Sequence, residues 1–338
     1  MDLNTIWFLL IAVLIIGYAI LDGFDFGVGV LHLFTKSEHE KRVNLNSIGP
    51  VWDGNEVWFL TAGGALFAAF PIVYATVFSG FYLALMLLLV ALIFRAVSLE
   101  FRGKVESENW KKYWDWAFGL GSLLPALLLG VAFGNILRGI PLDNNGLFTG
   151  NFFMLLNPYS LLVGVLSLIL FTMHGAIYLT LKSEGEQKNR ITKLIPKFWN
   201  GFVILYIVVT IFSIFEARFL FNDILSNPIF WLLLIILIGG IVYIPISIKN
   251  NKFGLGFFAS SLTIFSMIGL SGLSLFPRLV PSSIDLANSL TIYNASSTER
   301  TLFTMLIIAL IGMPLVIGYT LYIYRTFKGK VLLDENSY

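Results

Sequence analysis

Two aspartates lie within a long apolar stretch near the start of the sequence. Asp22 and Asp25 occur in residues 21–29, LDGFDFGVG, where the other side chains are apolar or absent. An ionisable group is costly in such a stretch and usually has a function there. Three residues apart, the two carboxylates lie on neighbouring rows of one helix face, and the glycines allow another helix to approach closely. The pattern predicts a buried carboxylate pair that takes up and passes on protons.

A second acidic pair follows at the start of the next apolar segment. Asp53 and Glu56 are again three residues apart, in the element WDGNE at 52–56. The four carboxylates of two consecutive helices are therefore expected to gather near one membrane surface. Arg95, at the end of the third apolar segment, is the nearest candidate cation. Trp52 and Asn55 belong to the same element as the second pair and are candidate supporting residues.

Each of these residues also has a structural interpretation, which the sequence leaves open. Asp22 could cap a break in the first helix, and Asp53 could be the N-cap of the second helix by accepting bonds from its free backbone N–H groups. Arg95 and Glu100 could anchor the third helix at the membrane interface. Two further acids near span ends are expected to extend from the apolar region toward water: Asp115 and Glu216.

The histidines offer little for a haem or metal site. His32 and His39 fall at or beyond the end of the first helix, so His174 is the one histidine well inside a predicted span. A haem with two axial imidazoles needs two facing histidines. The chain has no cysteine, which excludes thiolate-ligated metals and clusters. We therefore expect His174 to form hydrogen bonds between helices, and no metal ligands are predicted.

The elements that must position these residues are transmembrane helices. Of the 338 residues, 57% are hydrophobic and 12% charged, whereas soluble domains carry about 25% charged residues. The net charge of +2, with dispersed basic residues, does not suggest a nucleic-acid partner. Roughly 20 mostly apolar residues can cross a bilayer as a helix. Nine such segments predict an all-α polytopic membrane protein: 6–31, 51–72, 75–98, 113–137, 158–181, 199–217, 229–248, 254–276 and 303–325.

The basic residues predict the orientation of these spans. Of 22 Lys and Arg residues, 18 fall in alternate connections and only four in the connections between them. Because loops rich in basic residues stay on the cytoplasmic side, the N-terminus is expected outside and the C-terminus in the cytoplasm. The alternation supports nine spans independently of hydropathy. The four exceptions are Arg138, Arg218, Arg278 and Arg300.

The chain is expected to form a single transmembrane domain over residues 1–338, with the connection 182–198 as a solvated charged loop.

Proton transfer is one of three functions that the buried carboxylates allow. A secondary transporter would use the same carboxylates as ion-coupling sites, although no half-to-half repeat supports it. A structural scaffold would use them only as caps and as bonds between helices.

The acidic elements belong to an ordered set of motifs that resembles subunit II of cytochrome bd-type quinol oxidases. They read LDGFDFGVG at 21–29 and NSIGPVWDGNEVW at 46–58. The others are GGALFAAFP at 63–71, SGFY at 79–82, GVAFGN at 130–135, TGNFF at 149–153, FP at 276–277, VPSS at 280–283, SLT at 289–291 and NASS at 294–297. Each motif is weak alone, whereas the ordered set is highly specific.

The resemblance implies a fold of two four-helix bundles plus one peripheral helix, without haem. It also implies a heterodimer in a prokaryotic cytoplasmic membrane, in which subunit I carries two haem b, one haem d and the quinol site. That complex oxidises quinol and reduces oxygen to water in a respiratory chain. Proton transfer from the cytoplasm falls by motif on Asp53, with Asp25 as its neighbour and Glu56 as a further relay. The quinone type, a bound quinone or lipid, a small third single-helix subunit and a cyanide-insensitive partner stay open.

Overall fold

The computed structural model describes residues 2–222 and 224–333 of the chain. Met1, Asp223 and residues 334–338, which the predicted single domain includes, lie outside the described residues. Within the described part the fold is α-helical apart from one two-stranded antiparallel sheet. The helices are α1 Leu3–His32, α2 Glu38–Ile48, α3 Trp52–Ala69, α4 Pro71–Gly80, α5 Tyr82–Phe101, α6 Glu108–Arg138, α7 Pro158–Lys182, α8 Gly185–Glu216, α9 Pro228–Lys249, α10 Phe253–Leu275 and α11 Glu299–Thr326. The strands are β1 Arg278–Val280 and β2 Leu290–Thr291.

Eight helices in the described part are long and apolar enough to cross a membrane, which confirms a multi-pass α-helical protein. They are α1, α5, α6, α7, α8, α9, α10 and α11. The predicted span 51–72 is not among them. Its helix, α3, has 18 residues, and Asp53, Asn55 and Glu56 lie within its first five, which lowers its mean hydropathy. The count of nine spans therefore stays a prediction.

The second and third predicted spans are divided differently in the structure. The helix of span 51–72 ends at Ala69, and α4 begins at Pro71. Phe70 between them has φ −134° and ψ 66°, because a residue before proline is pushed out of the helical region. The predicted span 75–98 consists of α4 and α5, which meet at Phe81. The predicted end at 72 lies within three residues of the end of α3, whereas the predicted start at 75 is wrong because α4 already begins at Pro71.

Two helices begin well before their predicted apolar spans. The helix of span 113–137 begins at Glu108, and that of span 199–217 begins at Gly185. The predicted charged loop 182–198 is thus wrong, since nearly all of it is helical. Gln187, Ile191 and Ile195 are buried at helical spacing, while the intervening polar residues face outward. Hydropathy misses this part because a helix with one apolar stripe contains no continuous apolar run.

Helix α1 packs inside the bundle and contacts α3, α6, α7 and α10. The glycines of its acidic segment permit this packing, as predicted. At Gly175 of α7 an added Cβ would lie 2.6 Å from the backbone carbonyl carbon of Gly27. The backbones of α1 and α7 are therefore in direct contact, the close approach that small residues allow between membrane helices. By contrast, the one buried residue of α11 is Leu302.

The connections rich in basic residues meet at one end of the helices, which we name the basic end. The Tyr178 hydroxyl of α7 donates to the Ser47 carbonyl of α2 at 2.8 Å. The backbone N–H of Val331 donates to the Lys182 carbonyl at 3.0 Å. The connection between α5 and α6 lies at the same end because Arg102 pairs with Glu38, the first residue of α2.

Longer connections cover the opposite end of the helices. Strands β1 and β2 pair there, and the Ile140 N–H donates to the Pro281 carbonyl at 3.0 Å, which joins the segments 139–157 and 276–298. The Ser297 N–H donates to the carbonyl of Ala69 at 2.8 Å. The connecting segment 276–298 therefore also holds the junction between α3 and α4 in place.

Candidate functional site

Asp22 and Asp25 lie in the interior of the helix bundle, on an unbroken α1. Both residues are fully buried. Because α1 runs without interruption from Leu3 to His32, the interpretation of Asp22 as the cap of a helix break is wrong. A carboxylate buried among apolar helices requires a cation, hydrogen-bond donors or a proton. The structure provides the first two from neighbouring helices.

The cation is Arg95, on the buried face of α5, where its side chain is only 1% exposed. Its guanidinium donates to both oxygens of Asp22, at 3.1 Å and 2.5 Å, and Nη2 lies 3.6 Å from Oδ2 of Asp25. The guanidinium carbon also lies 4.5 Å from the centre of the Phe26 ring. The interpretation of Arg95 as an interfacial anchor beside Glu100 is therefore wrong, although Glu100 itself is exposed.

Asn55 connects the second acidic element to the first. Its side-chain amide donates to Oδ2 of Asp25 at 2.8 Å and to the Leu21 carbonyl at 3.1 Å. The hydroxyl of Tyr324, near the end of α11, donates to Oδ1 of Asn55 at 2.9 Å. A helix that is otherwise exposed thus reaches the buried site with one polar side chain. Sequence reasoning missed Tyr324, because a tyrosine near a span end is usually an interfacial residue.

The charges of this buried cluster do not balance. One guanidinium faces two carboxylates, so the cluster carries an uncompensated negative charge unless it takes up a proton. The pairing is also uneven, because Oδ1 of Asp25 has no hydrogen-bond partner within the described chain. Nε of Arg95 and the Tyr18 hydroxyl are buried without a partner as well. The arrangement can hold an exchangeable proton on Asp25 while Asp22 and Arg95 stay paired.

Asp53 and Glu56 occupy different environments on α3. Glu56 is partly buried and within electrostatic range of Arg95, Asp22 and Asp53. Asp53 is exposed, and no hydrogen bond joins it to Asp25 in the described part of the chain. Val51 precedes the helix and Asp53 makes no capping bond, so the interpretation of Asp53 as N-cap is wrong. Trp52 is partly buried beside it.

A second charged cluster at the basic end was not predicted. Asp115 of α6 is buried and bonds to His32 at 2.8 Å, Arg102 at 2.6 Å and Lys41 at 2.7 Å, so its predicted extension toward water is wrong. Glu38 also binds Arg102, and hydrogen bonds from that guanidinium lower the pKa of Glu38. Glu216, by contrast, forms an exposed pair with Arg138 at 2.8 Å.

His174 forms hydrogen bonds with both ring nitrogens. Nδ1 lies 2.6 Å from the Ser260 hydroxyl and Nε2 lies 3.1 Å from the Ile20 carbonyl oxygen. Its ring stacks on Phe257 with a centroid distance of 4.6 Å. His174 therefore connects α7 with α10 and α1 and has no free nitrogen for a metal. No group of three metal-ligating side chains occurs among the residues that the structure describes.

The chain matches one protein family over nearly all of its length. The family described as "Cytochrome bd terminal oxidase subunit II" matches residues 3–327. The "Probable cytochrome oxidase subunit 2" of Haemophilus influenzae is 38% identical and aligns over 99% of this chain and 98% of its own length. The "Cytochrome bd ubiquinol oxidase subunit 2" of Bacillus subtilis is 39% identical, with 99% and 98% covered. The "Cytochrome bd-I ubiquinol oxidase subunit 2" of Escherichia coli K12 is 37% identical, with 98% and 96% covered.

A solved structure shares the fold. A chain of the bd oxidase from Geobacillus thermodenitrificans superposes with a TM-score of 0.81 and covers 97% of this chain and 99% of its own. The two sequences are 19% identical, so this comparison concerns the arrangement of the helices alone.

Proposed function

The chain belongs to the subunit II family of cytochrome bd terminal oxidases, and we propose that it delivers cytoplasmic protons to the oxygen-reducing site of its partner subunit. It is thus a subunit of a quinol-oxidising enzyme and not a complete active site. Reducing one oxygen molecule to water consumes four protons, and a route through an apolar bundle needs titratable side chains or ordered water. The buried carboxylate cluster supports this role.

The proposed orientation places the basic end in the cytoplasm, following the distribution of Lys and Arg. Helix α3 is then the ninth span, shorter than the others and next to α1. One bundle consists of α1, α3 with α4, α5 and α6, the other of α7 to α10, and α11 is peripheral. Packing of α5 on α6 and of α1 on α3 and α6 fits the first bundle, packing of α9 on α10 and of α7 on α8 fits the second, and α1 and α6 pack on α7 where the two bundles meet. The four acids of the first two spans lie in the cytoplasmic half.

The proposed route begins at Asp53 and ends at the buried cluster. Asp53 is exposed, whereas Glu56 one turn further is partly buried and interacts with Arg95 and Asp22. The unequal charge of the cluster carries the proposal, since two buried carboxylates share one guanidinium and Asn55 orients Asp25. In this proposal a proton passes from Asp53 through Glu56 to the buried cluster.

The partner is proposed to be subunit I, packed on the outer face of α3. Along this face Asp53 is followed at helical spacing by Val57, Leu60 and Phe67, which are 40%, 68% and 58% exposed. A polar residue at the start of an exposed apolar face is well placed to pass protons to a neighbouring membrane subunit. Subunit I would supply two haem b, one haem d and the quinol site, and the haems would carry out oxygen reduction. A cytoplasmic membrane location follows from this partnership.

The test uses the assembled complex and substitutions that keep side-chain size. Asp53→Asn is expected to lower quinol oxidase turnover while the absorption spectrum shows the full haem content. Asp25→Asn is expected to do the same. Glu186→Gln, an exposed carboxylate at the same end on α8, serves as the matched control and should leave turnover unchanged.

The outcome separates the relay from a scaffold. A scaffold whose carboxylates only connect helices would fail to assemble, so haem would be lost together with activity. Normal turnover in an assembled Asp53→Asn complex would reject the relay role of this residue. Lost assembly in both aspartate variants would support the scaffold instead.

A further inference from the structure

One tyrosine of the exposed helix α11 turns toward the buried carboxylates. Tyr324 is partly buried, whereas Tyr319 and Tyr322 on the same helix are 62% and 65% exposed. The Tyr324 ring meets the ring of Phe24 edge to face at a centroid distance of 6.4 Å, and Phe24 is fully buried on α1. Tyrosines near span ends usually lie at the membrane interface, so this inward position indicates a different role.

Contacts of the segment after α11 hold this end of the helix in place. The Lys182 ammonium group, at the end of α7, donates to the Phe327 carbonyl at 2.6 Å. The backbone N–H of Val331 donates to the Lys182 carbonyl at 3.0 Å. Both ends of this short segment are thus tied to α7. Tyr324 lies about one turn before Phe327, so its position is fixed although most of α11 is exposed.

The Tyr324 hydroxyl holds the side-chain amide of Asn55, which is 1% exposed. The oxygen of that amide, Oδ1, accepts the tyrosine hydrogen bond at 2.9 Å. Its NH₂ group donates to Oδ2 of Asp25 at 2.8 Å and to the Leu21 carbonyl at 3.1 Å. A backbone carbonyl accepts hydrogen bonds and donates none, so the NH₂ group faces Asp25 while the tyrosine binds the opposite side of the amide.

This orientation makes the two oxygens of the Asp25 carboxylate unequal. Oδ2 accepts from Asn55 and lies 3.6 Å from Nη2 of Arg95. Oδ1 is buried and has no hydrogen-bond partner in the described part of the chain. A proton that reaches Asp25 is therefore bound at Oδ1, because Oδ2 already faces N–H donors.

We propose that Tyr324 is a positioning residue for proton transfer: it holds the Asn55 amide on Oδ2 of Asp25 and so directs the exchanging proton to Oδ1. One O–H bond forms at Oδ1 when the proton arrives and breaks when it leaves. The tyrosine acts through the amide and gives up no proton itself. This inference rests on the proposed relay role of Asp25.

Removing the hydroxyl tests the role of the tyrosine in the assembled complex. Tyr324→Phe keeps the ring against Phe24 and should lower oxidase turnover about two- to tenfold, the effect of losing one neutral hydrogen bond, with unchanged haem spectra. Tyr322→Phe, at an exposed tyrosine of the same helix, is the matched control and should leave turnover unchanged. In an Asn55→Ala background, Tyr324→Phe should have no further effect, because the tyrosine acts through that amide.

The infrared spectrum of Asp25 gives a readout that altered packing alone would not move. The C=O stretching band of protonated Asp25 is identified by its loss in Asp25→Asn, and the proposal assigns this C=O bond to Oδ2. Tyr324→Phe should shift the band to higher wavenumber, because a loosened Asn55 amide donates a weaker hydrogen bond to that oxygen. Tyr322→Phe should leave the band in place.

The possible results separate this inference from the proposed function. The positioning role of Tyr324 is rejected if Tyr324→Phe keeps the native band and the native turnover while Asp25→Asn is slow. Loss of haem in Tyr324→Phe, or an undiminished effect of Tyr324→Phe in the Asn55→Ala background, would reject it as well. If Asp25→Asn is as active as the native complex, the proposed function itself fails.

Discussion

The pair of Arg95 and Asp22 gives the sharpest prediction about stability. Arg95→Met keeps an unbranched apolar stem but removes every donor, and it leaves Asp22 fully buried without a cation. Removing one partner of a buried ion pair costs about 3–5 kcal/mol. At roughly 2 °C per kcal/mol for a chain of this size, the midpoint of thermal unfolding of the purified complex should fall by about 6–10 °C.

The same chain contains the control for this prediction. Arg138 and Glu216 form an exposed pair at 2.8 Å, with side chains 39% and 38% exposed, and such pairs contribute at most about 1 kcal/mol. Arg138→Met should therefore shift the midpoint by no more than about 2 °C. The double variant Arg95→Met with Asp22→Asn removes the unpaired charge and should recover most of the loss. Equal shifts for Arg95→Met and Arg138→Met would refute the view that burial makes the first pair critical.

Two further predictions concern packing and the buried histidine. Gly175→Ala places a methyl group 2.6 Å from the backbone of Gly27 and should destabilise the complex by about 1–3 kcal/mol, which lowers the midpoint of thermal unfolding. Gly239→Ala, with open space around it, should leave that midpoint unchanged. Equal midpoints for the two variants would contradict the contact of α1 with α7. His174→Phe leaves Ser260 and a backbone carbonyl without their partner and should lower the free energy of unfolding by about 1–3 kcal/mol. The haem spectrum per complex should stay unchanged. Loss of a haem band in an assembled complex would contradict a purely structural role for His174.

Much of the buried site was predictable because its acids lie in apolar surroundings. Asp22 and Asp25 are conspicuous for that reason, and the glycines beside them indicate close helix packing. The role of Arg95 was not predictable, since it lies 73 positions from Asp22 and a helix end alone does not show whether a side chain turns inward. Tyr324 is more distant still, and its bond to Asn55 depends on how α11 lies against α3.

The errors in helix boundaries have a common physical origin. Hydropathy detects the part of a helix that crosses lipid, so it misses the segment of α8 before residue 199, which buries only one stripe. The junction at Phe70 and Pro71 follows from proline geometry, which an apolar window does not register. The cluster around Asp115 was missed because its partners come from three separate segments and meet only after the helices pack.

Proton uptake during a single turnover tests the central claim most directly. The complex is reconstituted in vesicles, fully reduced and mixed with oxygen, while a pH-sensitive dye reports protons taken from the cytoplasmic side and absorption reports the haems. In Asp25→Asn, oxygen should bind as fast as in the native complex, and proton uptake should be at least about tenfold slower. Proton uptake by Asp25→Asn at the native rate, in a complex with its full haem content, would contradict the account.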